Sequence, residues 1–139
     1  MSENKYSRFV TEMQVRPDDI DLYRHVHSSR YMDYVLAARF DQMERCYGMS
    51  MQDFAARGLG WYQISFAINY RRALGLGERF LVETGVTGFA KATIQLLFSI
   101  SRKTDGKLVA DGTASYALID LASRRATPIP PDVIEKYSI

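Results

Sequence analysis

The chain has 139 residues, 47% of them apolar and 24% charged, the balance of an ordinary globular domain with an adequate core. Its 18 basic and 16 acidic residues leave a formal charge of only +2. The basic residues also fall in pairs (Arg71-Arg72, Arg102-Lys103, Arg124-Arg125) rather than tracts, which argues against a nucleic-acid binder. A single cysteine, Cys46, excludes an intrachain disulfide and fits a reducing compartment. Met1 to Arg8 is polar with no leader-like apolar stretch, and no apolar run approaches the roughly 20 residues of a membrane-spanning helix. These bounds predict one domain over 1–139, cytoplasmic, without a membrane span.

Along the chain, Phe9, Thr11, Met13 and Val15 alternate with Val10, Glu12, Gln14 and Arg16, a first strand. A polar, aspartate-rich stretch follows. Then Met32, Leu36, Phe40, Met43 and Tyr47 recur at helical spacing, with Ser28 or Ser29 as N-cap and Gly48 placed to end the helix. Met51 to Arg57 adds a short second helix.

From Trp61 to Tyr70 the pattern is period two, with Tyr62, Ile64, Phe66, Ile68 and Tyr70 on one face. Phe80, Val82, Thr84 and Val86 make a third strand, and Ile94, Leu96, Phe98 and Ile100 a fourth. Asp105-Gly106 marks a hairpin into a last strand over 107–120. The connections after the helix are of hairpin length, so the expected sheet is a four-stranded meander joined by the first strand. One face is apolar and is covered by the long helix. That is an α+β fold, one helix wrapped by a five-stranded antiparallel sheet. Pro128, Pro130 and Pro131 break the chain, and Asp132 to Tyr137 forms a terminal turn capped by its own aspartate.

The stretch Asp19-Ile20-Asp21-Leu22-Tyr23-Arg24-His25-Val26-His27-Ser28-Ser29-Arg30-Tyr31 sets carboxylates between a strand end and a helix start. An aspartate there titrates near about 3.9 when free and is ionised at neutral pH. Asp21 could attack a thioester carbonyl or hold and deprotonate a water, while free N–H groups around Ser28 and Ser29 receive the oxyanion. The plainer reading makes Asp18, Asp19 and Asp21 turn formers that bond their own backbone.

The same stretch resembles the signature loop of the hotdog-fold acyl-CoA thioesterases of the 4-hydroxybenzoyl-CoA thioesterase type. Asp19 and Asp21 match its aspartate pair, His25-Val26 its His-Val, and Tyr31 its tyrosine. Arg39 matches a helix arginine, and Asn69 to Leu74 with Gly77-Glu78 its strand-to-turn segment. Arg24 departs from a usual glycine, His27 and Ser28 from common asparagines, and Leu36 from a frequent acidic residue. The resemblance implies hydrolysis of an acyl-CoA to a carboxylic acid and free CoA. Asp21 would act as nucleophile or general base, and the Ser28 N–H as oxyanion donor. His25, Tyr31, Trp61, Arg71 and Arg72 are the candidates for substrate binding, the two arginines toward the CoA phosphates. No metal or cofactor is expected. The resemblance also implies a homodimer or homotetramer with sites between protomers. An acyl carrier protein in place of CoA, or a non-catalytic acyl-CoA-binding module on the same fold, are the alternatives.

Among rival roles, His25 and His27 as metal ligands would point to opposite faces of an extended segment. His25 is expected to orient the loop by a hydrogen bond and His27 to be exposed. Arg24 could pair with Asp19 or Asp21. Trp61, Tyr62 and Phe66 are core or an acyl-pocket wall, as are Met32, Leu36 and Met43.

Overall fold

A computed structural model describes residues 6–139; the reading of the polar start falls largely on residues 1–5, outside that range. The elements are β1 (Arg8–Gln14), α1 (Tyr31–Arg45), α2 (Met51–Ala56), β2 (Leu59–Tyr70), β3 (Arg79–Phe89), β4 (Thr93–Arg102), β5 (Leu108–Asp120), β6 (Arg125–Ala126) and α3 (Pro131–Tyr137). Short 3-10 turns at Pro17–Asp19 and Ser28–Arg30 frame the signature loop. No helix among the described residues is long and apolar enough to cross a membrane.

The strands form one antiparallel sheet in the order β1-β3-β4-β5-β2, with β6 added against β5. The expected five strands are present, but the meander is not: β2 pairs with β5 at the far edge instead of with β3. The link over 71–78 has to pass three strand spacings, about 14 Å, and eight residues can reach about 26 Å. A connection of hairpin length therefore permits a hairpin without requiring one.

A second correction concerns which face of β2 is inside. The register against β5 slips between Gln63 and Ser65, leaving Ile64 as a bulge. A bulge reverses the alternation beyond it. Trp61 and Gln63 point inward before it, Phe66 and Ile68 after it, while Tyr62 and Ile64 are 65% and 54% exposed. Strands β3, β4 and β5 keep the predicted inward faces, burying Phe80, Val82 and Val86, then Ile94, Leu96, Phe98 and Ile100, then Ala114, Tyr116 and Leu118.

Helix α1 lies across this sheet. Its buried face is Tyr31, Tyr34, Val35, Ala38 and Gln42, one stripe over from the predicted one. Gln42 pins it: its amide donates to Thr11 Oγ1 at 3.1 Å and the Val82 carbonyl at 3.4 Å, and Thr84 donates to its Oε1. The predicted stripe lies on the flank, where Met32 and Leu36 are half-buried and Phe40 exposed, with only Met43 and Tyr47 in the core. Gly48 follows the helix with φ +71°, the left-handed conformation expected there. The serine cap is displaced. Residues Ser28–Arg30 wind a 3-10 turn first, so His27 becomes the cap, its Nδ1 accepting the Ser29 N–H at 3.2 Å. Nor does Asp132 cap α3; it pairs with Arg57 at 2.7 Å.

Gly112 on β5 is the tightest point of the sheet. A Cβ there would overlap the Ala67 carbonyl of β2 and press within 2.8 Å of the Phe98 ring. Phe98 is in turn stacked on Phe66, centroids 5.1 Å apart. Gly112→Ala is expected to destabilise the fold by about 1–3 kcal/mol, measured as a lower urea midpoint with unchanged slope.

Candidate active site

The signature loop is a closed hairpin. Ile20 bridges to Val26, and the Asp21 N–H donates to the His25 carbonyl at 2.8 Å. The Asp21 carboxylate caps the turn: Oδ1 accepts the Tyr23 N–H at 2.8 Å and the His25 N–H at 3.2 Å. Arg24 closes the turn with φ +65°, a conformation that costs an ordinary residue and suits glycine. This is the physical sense of the departure at position 24. Arg24 makes no ion pair among the described residues; the partners of Asp19 are Arg16 and Arg30.

Asp19 and Asp21, two residues apart, have opposite fates. Asp19 is 1% exposed. It takes Arg16 Nε at 3.0 Å and Nη2 at 3.2 Å, the Tyr34 hydroxyl at 2.7 Å, and Arg30 Nε at 3.7 Å, and its carbonyl accepts the His27 N–H at 2.9 Å. The hydrogen bond from Arg16 holds its carboxyl below the usual range, against the opposing pull of burial and with help from Tyr34. Asp21 is half-buried and keeps Oδ2 free of hydrogen bonds within the described residues. The turn-former reading of Asp21 is met directly, its Oδ1 bonding the Tyr23 and His25 N–H groups of its own turn.

The loop rests on the turn after β2. Val26 N–H donates to the Leu74 carbonyl at 2.8 Å, and His25 bridges to Gly75. Val26, Ser28, Tyr31, Tyr70, Arg72 and Ala73 surround an open cavity of about 330 Å³, with Arg71 at its rim. Ser28 begins the 3-10 turn, so its N–H has no intrahelical acceptor. Tyr70 was not singled out by sequence; its hydroxyl donates to the Ser28 carbonyl at 3.0 Å, and its ring meets Tyr31 edge-on at 5.4 Å. Only pairing across 42 residues brings it there, and no local pattern announces that.

The two arginines differ. Arg71 is tied to Asp111, Nη2 lying 3.1 Å from Oδ1 and 3.2 Å from Oδ2. Arg72 makes no ion pair among the described residues; its Nη1 donates to the Leu108 carbonyl at 2.8 Å. His25 orients the loop by hydrogen bonds, as expected, though through its backbone, and His27 is exposed as expected while its ring Nδ1 bonds Ser29. No cluster of three metal-ligating side chains occurs among the described residues.

Trp61 lies elsewhere, in a second cavity of about 240 Å³ between α1, α2 and the sheet, walled by Leu36, Phe40, Met43, Met51 and Ile94. The flank stripe of α1 is thus a cavity wall. Tyr62 is outside it, and Phe66 belongs to the core. Arg39, Gln63 and Tyr116 complete the lining. Tyr116 donates its hydroxyl to Gln63 Oε1 at 3.1 Å, and Gln63 Nε2 faces Met32 Sδ at 3.3 Å.

A family model described as the thioesterase-like superfamily matches residues 15–137. The chain belongs to the thioesterase-like superfamily. With it comes membership of the thioester hydrolases, on the hotdog fold. The long-chain acyl-CoA thioesterase FadM of Escherichia coli (strain K12) is 27% identical over 126 residues, covering 91% of this chain and 94% of that protein. Among solved structures, a hypothetical protein of Thermus thermophilus is 27% identical with TM-score 0.86, covering 95% of this chain and 96% of its own. The DHNA-CoA thioesterase of Staphylococcus aureus superposes with TM-score 0.85 at 22% identity, covering 94% and 89%, and shares the fold.

Because Asp19 is held ionised in the folded state, the unfolded chain takes up its proton first as the pH falls. The stability it confers is complete above about pH 4 and drains away below that. Asp19→Asn is expected to lose about 2 kcal/mol at neutral pH. Its deficit against wild type should narrow on acidification below about pH 4, followed by urea unfolding across the pH range.

Proposed function

We propose that residues 1–139 form one hotdog thioesterase-like domain that hydrolyses an acyl-CoA to a carboxylic acid and free CoA. The observation that carries this reading is the pairing of a closed carboxylate loop with an unengaged helix-start N–H. Asp21 Oδ2 makes no hydrogen bond among the described residues, and Ser28 lines a cavity with Tyr31, Tyr70 and Arg72. That the similar FadM is a long-chain acyl-CoA thioesterase supports the substrate class.

In this reading the thioester carbonyl sits with its oxygen at the Ser28 N–H. Asp21 either attacks the carbon, giving an anhydride that water then opens, or takes a proton from the attacking water. Both routes break the C–S bond, release the CoA thiolate, which takes up a proton, and place a water-derived oxygen on the acyl carbon. Arg72, free of carboxylates, meets a CoA phosphate; Arg71, held by Asp111, lends charge without donating freely.

The protein works as a homo-oligomer. Edge strand β2 offers unpaired backbone groups along its outer side, and Tyr62 and Ile64 are exposed on it, an arrangement that invites strand pairing. Asp21 lines neither cavity of its own chain, which fits a site completed by a second copy.

One observation favours a second reading. Both hydrogen bonds that the Asp21 carboxylate accepts are spent on closing its own turn, the role of a structural turn former, and a binding module that retains acyl-CoA intact would need no more of it. The deciding measurement is thiol release from short, medium, long and aromatic acyl-CoAs with wild type and Asp21→Asn. Asparagine keeps the side-chain oxygen that closes the turn and removes the charge. Turnover is expected to fall by about 100-fold or more in a variant that melts like wild type. Tight binding without turnover on every ester would establish the binding module. In the same assay Arg72→Ala is expected to raise KM about tenfold, the worth of one charge-assisted hydrogen bond, with kcat little changed.

A further inference from the structure

The 240 Å³ cavity beneath α1 is lined by a buried arginine that has no carboxylate partner among the described residues. Arg39 is 6% exposed. Its Nη1 has no hydrogen-bond partner, and among the described residues it makes no ion pair. Its guanidinium lies 5.8 Å from the centroid of the Tyr47 ring. The helix neighbours within reach, Val35, Leu36, Gln42 and Met43, are the i±3 and i±4 positions from which a carboxylate would pair with it, and none is acidic. The nearby phenols do not compensate either. Burial pushes Tyr47, Tyr116 and Tyr137 above the usual tyrosine range, the Arg39 cation opposing it in each case, so all three are neutral at neutral pH.

The second unmet group in this cavity is also a donor: Trp61 Nε1 is buried without an acceptor. Gln63, the remaining polar wall residue besides Tyr116, has its acceptor oxygen occupied by the Tyr116 hydroxyl. A buried guanidinium nitrogen and a buried indole N–H, each without an acceptor, are costly, and both ask for oxygen lone pairs. The rest of the wall asks for carbon. At about 240 Å³ the cavity has room for roughly eight water-sized groups, a medium-length stem.

We propose that this cavity holds the acyl group of an ω-carboxyacyl thioester, its distal carboxylate against Arg39 and the Trp61 N–H and its methylenes against Leu36, Phe40, Met43 and Ile94. The proposal rests on the thioesterase reading above and adds a substrate class to it. A plain alkyl tail of the same length fills the same walls but leaves Arg39 unbalanced, so the charge selects for the acid and against the hydrocarbon.

The test compares hexanoyl-CoA with adipoyl-CoA, which differ by the terminal carboxylate. Wild type is expected to favour adipoyl-CoA in kcat/KM by at least about tenfold. Arg39→Met, which keeps the stem and removes the charge, should collapse that ratio to about one or invert it. Trp61→Phe, which keeps an aromatic ring and removes the N–H, should reduce it several-fold. The ratio is internal to each variant, so lowered stability does not mimic the effect; should Arg39→Met not fold, the wild-type ratio and Trp61→Phe decide. A wild-type ratio near one overturns the inference while leaving the thioesterase reading intact. If neither ester is hydrolysed, the thioesterase reading is decided by the wider acyl-CoA panel, and the inference is judged from the two dissociation constants by calorimetry. Equal constants overturn it, and tighter binding of adipoyl-CoA that Arg39→Met abolishes upholds it.

Discussion

The site depends on one buried carboxylate. Asp19 gathers the guanidinium of Arg16 from the end of β1, the hydroxyl of Tyr34 from the middle of α1 and, more distantly, Arg30 from the helix entrance. Burying an ionised carboxylate is costly unless its lone pairs are filled, and here three partners fill them. The consequence is positional. Strand end, helix start and the loop between them are clamped at a single point, and the Asp21 hairpin projects from that clamp. Because Arg16 and Arg30 are themselves largely exposed, the clamp gains less from Coulomb attraction than its distances suggest. Its rigidity comes from the hydrogen bonds, the one from buried Tyr34 above all.

Much of this was legible in the sequence, and what was not has a physical reason. Strands β3, β4 and β5 follow from alternation because each keeps one buried face over most of the residues read, the slip at Val109 falling at the start of β5. Strand β2 misleads because a single extra residue, Ile64, reverses its parity, and a bulge leaves no signature in hydrophobicity. Its neighbour misleads too, since strand order is decided by which distant face gains most burial, and connection length only limits the choice. For α1 the apolar periodicity was real, but two adjacent stripes carry it. The stripe with Tyr31, Tyr34, Val35 and Ala38 packs on the sheet, and that with Leu36, Phe40 and Met43 borders a cavity. A tyrosine-rich core stripe is easily passed over in favour of a methionine- and leucine-rich one.

For the candidate site, the loop aspartates were visible because short acidic side chains beside a helix start are a compact local pattern. Their division of labour was not visible, because it depends on Tyr34 lying over Asp19 across fifteen positions of chain. Arg24 is the instructive departure. A residue with a Cβ is held at positive φ by the hairpin around it, with two N–H bonds to Asp21 on its neighbours. The turn is set by hydrogen bonding strongly enough that glycine is not required.

The two cavities meet opposite needs of an acyl-CoA. The wider one, beside Ser28 and Arg72, is lined by polar groups and suits a carbonyl and a charged carrier; the one beneath α1 is mostly apolar. Helix α1 borders both, through Tyr31 and Arg39, and at about 1.5 Å per residue the eight steps between them correspond to roughly 12 Å. One rigid element therefore fixes the separation between the two cavities. A substrate anchored at both ends would be measured along that length, which turns helix geometry into a length filter. Arg39 costs stability where it stands, since an apolar residue would pack there without an unpaired charge. A fold that retains such a cost at the end of a substrate-sized cavity obtains discrimination in return, as sites that break a packing rule commonly do.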